Sequence, residues 1–178
     1  RKLGAKVYSF SWQDDFSKAR NFALSKAQGD WLVLLDADEY FTAKTAGNIR
    51  KIIHQAQQAD ALLIQMVNYD VDKAEIQDYF YQLRIVRNQQ GLHYEGKIHE
   101  ELKLSEGKSM KFLRIPPEML EIYHTGYASS VSRQKLERNL KLLQQAVDNG
   151  QSEIDLARYF CDCYLGLGDM EKCIYYGW

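Results

Sequence analysis

The 178-residue sequence predicts an α/β fold, a mixed sheet flanked by helices, followed by a small all-α tail. Three observations predict it. Residues 31–35 (WLVLL) form an unbroken apolar run that meets Asp36-Ala37-Asp38-Glu39, the pattern of a strand buried on both faces with acids at its carboxyl end. Strand-like and amphipathic helical segments alternate up to about Tyr127. After Ser130 the periodicity is helical only. The domain boundary is therefore expected near Tyr127, dividing 1–127 from 128–178.

Each element has its own signal. Residues 5–10 (AKVYSF) follow a turn at Gly4 and read as a short strand. Apolar residues at Phe16, Ala19, Ala23, Leu24 and Ala27 have helical spacing, with Asp15 as the cap. Gly29-Asp30 ends that helix, so residues 5–35 predict a strand–helix–strand unit with parallel strands and a right-handed crossover. Residues 45–59 predict a helix with Ile49, Ile52, Ile53 and Ala56 on one face. Residues 61–69 and 79–87, rich in branched and aromatic side chains, predict two strands. Pro116-Pro117 cannot donate to a central ladder and marks a loop or sheet edge. In the tail, Leu136, Leu140, Leu143 and Val147 form one stripe, and Asp148-Asn149-Gly150 stops that helix. Two more helices follow, broken at residues 166–169. The spacing of Ala157, Tyr164, Leu165, Gly168 and Ile174 resembles a tetratricopeptide repeat.

Composition excludes several classes. The charged fraction is 26% and the net charge is -1, so bulk charge points to no nucleic-acid partner and no polybasic block marks a membrane surface. The longest apolar run is far too short to span a bilayer, and no signal peptide is visible. Cys161, Cys163 and Cys173 all lie in the tail, which is no secreted disulfide framework, so a cytoplasmic setting is the expectation. They are too few for a closed four-ligand zinc site and read as packing residues of the repeat. The chain opens on Arg1 and closes on Gly177-Trp178 within a helical pattern, so it is expected to be a piece of a longer protein.

The acids carry the chemistry. Asp36 and Asp38 are two apart and would point the same way on an extended strand. Their repulsion calls for a cation, and a hard divalent ion completed by phosphate oxygens would supply it. A cap for the following helix would need only one acid, whereas three stand within four positions.

The ordered set DDFSKARNFALSKAQGDWLVLLDADEYF resembles the core of family 2 glycosyltransferases, which have the Rossmann-like GT-A fold. The helix with Ala19-Arg20-Asn21, the Gly29-Asp30 turn and the strand ending in Asp-Ala-Asp-Glu come in the same order. GKIHEEL and YHTGY resemble the branch of that family that carries tetratricopeptide repeats. The resemblance implies a nucleotide-sugar donor, expected to be UDP-linked, held with Mg2+ or Mn2+ as a Lewis acid. It implies Asp36 near the ribose or metal, Asp38 on the metal, Arg20 beside the nucleotide and His124 near the metal or diphosphate. Imidazole is a more usual ligand for Mn2+ than for Mg2+.

Inverting transfer, which the resemblance also implies, needs a base. Glu100 is the first candidate and Glu101 the second; alternation lets only one face the site if the segment is extended. His99 is expected to fix the phosphates or the base. Acceptors in the wider family include lipids, polysaccharides and peptide side chains. The repeats point to a protein or peptide acceptor, or to a homodimer through the tail. A GT-A domain begins with a strand–helix–strand unit of at least roughly 30 residues that holds the nucleoside base. The first strand candidate here opens at Ala5, so that unit is expected to be absent.

Two rival classes compete. One is a non-catalytic binding or dimerisation module built on the helical repeats. The other is an aspartyl phosphohydrolase, which also sets Asp-x-Asp after an apolar strand but usually has Thr or Val where this chain has Tyr40, two places after the second Asp.

Overall fold

The computed structural model describes residues 3–105, 108–126 and 132–177. The expected boundary at Tyr127 lies outside the described residues. Helix α1 (Phe16–Leu24) starts at Asp15, whose carboxylate accepts the Lys18 N–H at 3.0 Å, as its sequence position predicts. Strand β1 (Trp31–Val33), strand β2 (Glu39–Phe41), helix α2 (Ala43–Ala46) and helix α3 (Ile49–Gln55) follow. The long strands β3 (Ala61–Asp70) and β4 (Glu75–Arg87) make an antiparallel pair. β5 (Leu92–Glu95) and β6 (Glu101–Leu104) form a separate hairpin, and β7 (Phe112–Arg114) and β8 (Glu121–His124) return to the main sheet. The tail is α4 (Ser132–Asp148), α5 (Glu153–Leu167) and α6 (Met170–Gly177).

The main sheet runs β1-β4-β3-β8-β2, with β7 also on β3. β3 is its centre because it is apolar on both faces: Leu62, Ile64, Met66 and Val67 are all buried. One edge of β3 serves β4. The other serves β7 and then β8, both parallel to it. Ile52 of α3 and Ala56 at its C-cap pack in one core with Ile85, Ile115, Leu120 and Ile122.

Three local expectations fail. Residues 5–10 form no strand; Val7 and Tyr8 are exposed, and Phe10 instead packs on Phe22 of α1, ring centres 5.2 Å apart. The parallel crossover pair is therefore absent among the described residues, and β1 pairs antiparallel with β4. β1 is also not buried on both faces. Leu32 is packed with Ala61 and Val86, whereas Val33, on the other face, and Leu35, beyond the strand, stay exposed. The single helix expected over 45–59 breaks at Gly47-Asn48, where the Asn48 side chain leaves the helix direction to donate to the Met119 carbonyl at 2.9 Å.

The tail matches its periodicity. Ser152 caps α5, and Gly168, at φ +81, turns the chain into α6 in the left-handed conformation that suits glycine. Leu142, Leu143 and Ala146 of α4 pack with Leu156, Phe160 and Cys163 of α5. This second core also takes in Ile98, from the loop between β5 and β6, and Phe16 of α1. The tail is thus seated on the α/β region. Cys163 and Cys173 are buried, in keeping with a packing role, and the Sγ atoms of Cys161 and Cys173 lie 2.8 Å apart between α5 and α6. Among the described residues no helix is long and apolar enough to cross a membrane.

Candidate active site

The sheet order decides where the acids go. β1 and β2 lie at opposite edges of the path, so residues 34–38 must carry the chain across between them. They do so without strand structure, and Asp38 sits in a turn. This corrects the extended geometry expected for Asp36 and Asp38. In place of two like charges side by side, each acid has its own protein cations.

Asp36 receives Arg20. Its two oxygens take Nη1 and Nη2, both at 3.0 Å, a bidentate pairing that fixes the carboxylate plane. The Arg20 Nε donates to Glu100 Oε1, so one guanidinium bridges the two carboxylates. Asn21 explains how Arg20 is aimed. Its amide donates to the Tyr94 carbonyl at 2.9 Å and accepts the Tyr94 N–H at 2.7 Å, locking α1 to β5 as a strand partner would. The Arg20 guanidinium lies 5.5 Å from the Tyr94 ring centre. Burial works against the Arg20 charge, but the hydrogen bond and charge of Asp36, joined by Glu100, outweigh it and hold the guanidinium above its ordinary pKa. A groove of about 360 Å³ runs from Arg20 and Tyr94 along β1 to Gly29.

Arg84 and Glu39 stand behind this pair; sequence reasoning missed Arg84 and counted Glu39 in the acidic motif without giving it a role. Leu62 and Leu63 of β3 pair with Ile85 and Leu83, leaving Arg84 as the extra residue of a bulge. Bulges re-aim side chains, and this one accompanies an arginine that is 8% exposed and bonded to Glu39 Oε1. Glu39 Oε2 accepts the Asp36 N–H at 3.1 Å, and Arg84 Nη2 lies 3.7 Å from Asp36. For Arg84 the sequence signal was a charged residue inside the apolar run LRIV.

Asp38 is built differently. The β2–β8–β3–β4 register sets Glu39, His124, Asn68 and Asp78 in one row. Asn68 donates to Asp78 Oδ1 at 2.7 Å and accepts from His124 Nδ1 at 2.8 Å. That bond orients the imidazole, and His124 Nε2 lies 3.6 Å from Asp38 Oδ2. Lys135 of α4 reaches the same oxygen at 2.9 Å and the Gly126 carbonyl at 3.0 Å. Burial raises the Asp38 pKa, but the Lys135 hydrogen bond and charge lower it further, with a smaller contribution from His124; the carboxyl sits below its ordinary value.

The ion that the resemblance implies has a donor set here. Among the described residues no three His, Cys, Asp or Glu side chains could hold a metal unaided. A carboxylate and an imidazole would suit an ion that draws its other ligands from diphosphate oxygens. Gly126 keeps that space clear. A Cβ there would fall 2.2 Å from Asp38 Oδ2, 2.6 Å from His124 Nε2 and 2.7 Å from Lys135 Nζ.

The structure therefore brings Arg20, Asp36 and Glu100 together, and separately Asp38 and His124. It does not bring Glu101 or His99 to them. Glu101, in β6, is exposed and lies 3.7 Å from Lys103. His99 faces the tail. Its ring stacks on Tyr159 with centres 3.5 Å apart and planes 8° from parallel, and its backbone is held at φ +54, which a non-glycine residue rarely adopts. Burial against the tail pushes the imidazole pKa down, to about 4, even though over a third of the residue stays accessible.

The sequence profile of glycosyl transferase family 2 matches residues 1–113. A TPR repeat-containing protein of Synechococcus elongatus is 33% identical over 99 residues, covering 56% of this chain and 24% of that protein. The SPbeta prophage-derived glycosyltransferase SunS of Bacillus subtilis is 29% identical over 142 residues, covering 75% of this chain and 31% of its own length. The glycosyltransferase SunS of Bacillus phage SPbeta matches equally. The chain thus spans about a quarter to a third of the curated relatives it matches.

Proposed function

The chain belongs to glycosyl transferase family 2, and from that premise we propose that it transfers a sugar from a nucleotide-sugar donor, UDP-linked, with inversion and with the help of Mg2+ or Mn2+. The observation that carries this reading is the Arg20 bridge. One guanidinium joins Asp36, the proposed donor-side acid, to Glu100, the base candidate, and so would set the distance between donor and acceptor chemistry. Asp36 would hold the ribose side of the nucleotide beside Arg20. Asp38 and His124 would hold the metal, whose bound form neutralises charge on the departing diphosphate. Arg20 takes Oε1 of Glu100, which leaves Oε2 to receive the acceptor proton. The acceptor atom bonds to the anomeric carbon as the bond from that carbon to the diphosphate breaks. Glu100 takes precedence over Glu101 because it alone of the two meets Arg20. A protein or peptide acceptor suits a helical tail that carries repeats.

Calorimetric titration of the full-length protein with UDP-sugars, with and without Mn2+, tests the proposal. Wild type should bind in a metal-dependent way and Asp38→Ala should not. Glu100→Gln should keep donor binding and lose about 10²- to 10⁴-fold in kcat. Absence of donor binding by wild type would sink the proposal.

A second reading, a module that binds a partner or a second copy through the tail, has one observation in its favour. Ile154, Ile174 and Tyr175 are exposed on α5 and α6. On that reading Asp38→Ala would leave partner binding intact.

A further inference from the structure

The acids at residues 36 and 38 draw their cations from different parts of the fold. Asp36 takes Arg20 of α1 and Arg84 of β4, both from the α/β region. Asp38 takes Lys135, which belongs to the helical tail. The position of Lys135 follows from how the tail is seated. Leu142 and Leu143 of α4 pack in the core that holds Ile98, and the His99–Tyr159 stack fastens the tail a second time beside Glu100.

Lys135 Nζ sits on Asp38 Oδ2, the same oxygen that faces His124 Nε2. A divalent ion bound between Asp38 and His124 and an ammonium 2.9 Å from that oxygen cannot both hold it at full strength, since two cations would then crowd one carboxylate. The ammonium needs another anionic partner when the ion arrives. A diphosphate bound to that ion would bring one, with oxygens in reach of a half-buried lysine on a flexible stem.

We propose that Lys135 is a donor-binding residue lent by the helical tail: it holds Asp38 while the donor is absent and passes to the diphosphate when metal and nucleotide bind. This rests on the donor-site reading above. The consequence is cooperativity. Metal alone must displace the ammonium and binds weakly, whereas metal with nucleotide gives the ammonium a new partner.

The test measures Mn2+ and UDP binding to the full-length protein by calorimetry, each alone and together, in wild type, Lys135→Met and Lys135→Arg. Lys135→Met should bind Mn2+ alone at least about 3-fold more tightly and UDP with Mn2+ about 10-fold more weakly. Lys135→Arg should retain most of the UDP affinity, which also shows that the seat of α4 tolerates replacement. Opposite signs for the two ligands are what a merely structural lysine would not produce. Unchanged affinities in Lys135→Met, or a parallel loss of both, would overturn the inference while leaving the donor site in place. Wild type that binds no UDP with Mn2+ would overturn the donor-site reading itself, and this inference with it.

Discussion

Gly126 offers a sharp perturbation, because one added methyl group meets three functional atoms at once. In Gly126→Ala the new Cβ would lie 2.2 Å from Asp38 Oδ2, and ordinary contact begins at 3.4 Å, so that oxygen must retreat by about 1.2 Å. By the same measure His124 Nε2 must give about 0.8 Å and Lys135 Nζ about 0.7 Å. All three are side-chain ends rather than backbone, so they can move without unfolding the sheet. The Lys135–Asp38 pair, about a third exposed on each side, is worth no more than about 1 kcal/mol of stability. The melting temperature should therefore barely change. The site should suffer far more, because displacements near 1 Å can cost about 100-fold in rate and Asp38 and His124 are moved together. Calorimetry with UDP and Mn2+ should show at least about a 10-fold loss of affinity, roughly 1.4 kcal/mol. Gly126→Ala that binds as wild type does would refute the view that the space under Gly126 is the donor's. A large drop in melting temperature would instead show that Gly126 serves the fold.

The tail supplies two further predictions. Phe160 is 1% exposed in the core shared with Ile98 and Leu143, so Phe160→Ala should cost about 3–5 kcal/mol in urea unfolding; a loss under about 1 kcal/mol would mean the tail is not one cooperative core. His99 predicts a pH dependence. Its folded pKa is depressed, so the unfolded state takes up the proton first; the stabilisation is intact above about 6.5 and is lost as pH falls toward about 4. Thermal unfolding of His99→Asn, which tolerates the positive φ without titrating, should show a flatter pH slope than wild type over that window, and identical slopes would contradict this account.

Elements whose signals are local were legible from the sequence. The Asp15 cap, strands β3 and β4, the Pro116-Pro117 loop and the Gly168 turn each depend on residues a few positions apart. Features that depend on long-range pairing were not. The apolar run 31–35 looks the same whether one sheet face or both are covered, so the exposure of Val33 and Leu35 could not be read from it. Asn48 fits a helix interior by its neighbours but starts α3, and its side chain bonds Met119, 71 residues away. The candidate site divides in the same way. Arg20, Asp36, Asp38 and His124 stand out in motifs. Arg84 and Asn68 matter only once strand register brings Glu39 and His124 to them, and Lys135 lies 97 residues from Asp38. His99 and Glu101 sit beside Glu100 in sequence, yet a positive φ at His99 turns one toward the tail and the hairpin keeps the other on the surface.

Ile98 anchors a core made mostly of tail residues. The boundary of composition near Tyr127 is therefore no boundary of cohesion. A chain shortened to 1–127 would bare Ile98 and Phe16 to water, strand Asp38 without its ammonium and leave His99 in an uncommon backbone conformation with nothing stacked on it. Such a shortened chain would be a different molecule rather than a smaller version of this one. Exchanging tails between relatives would then change the cation beside Asp38 as well as the exposed face of α5 and α6.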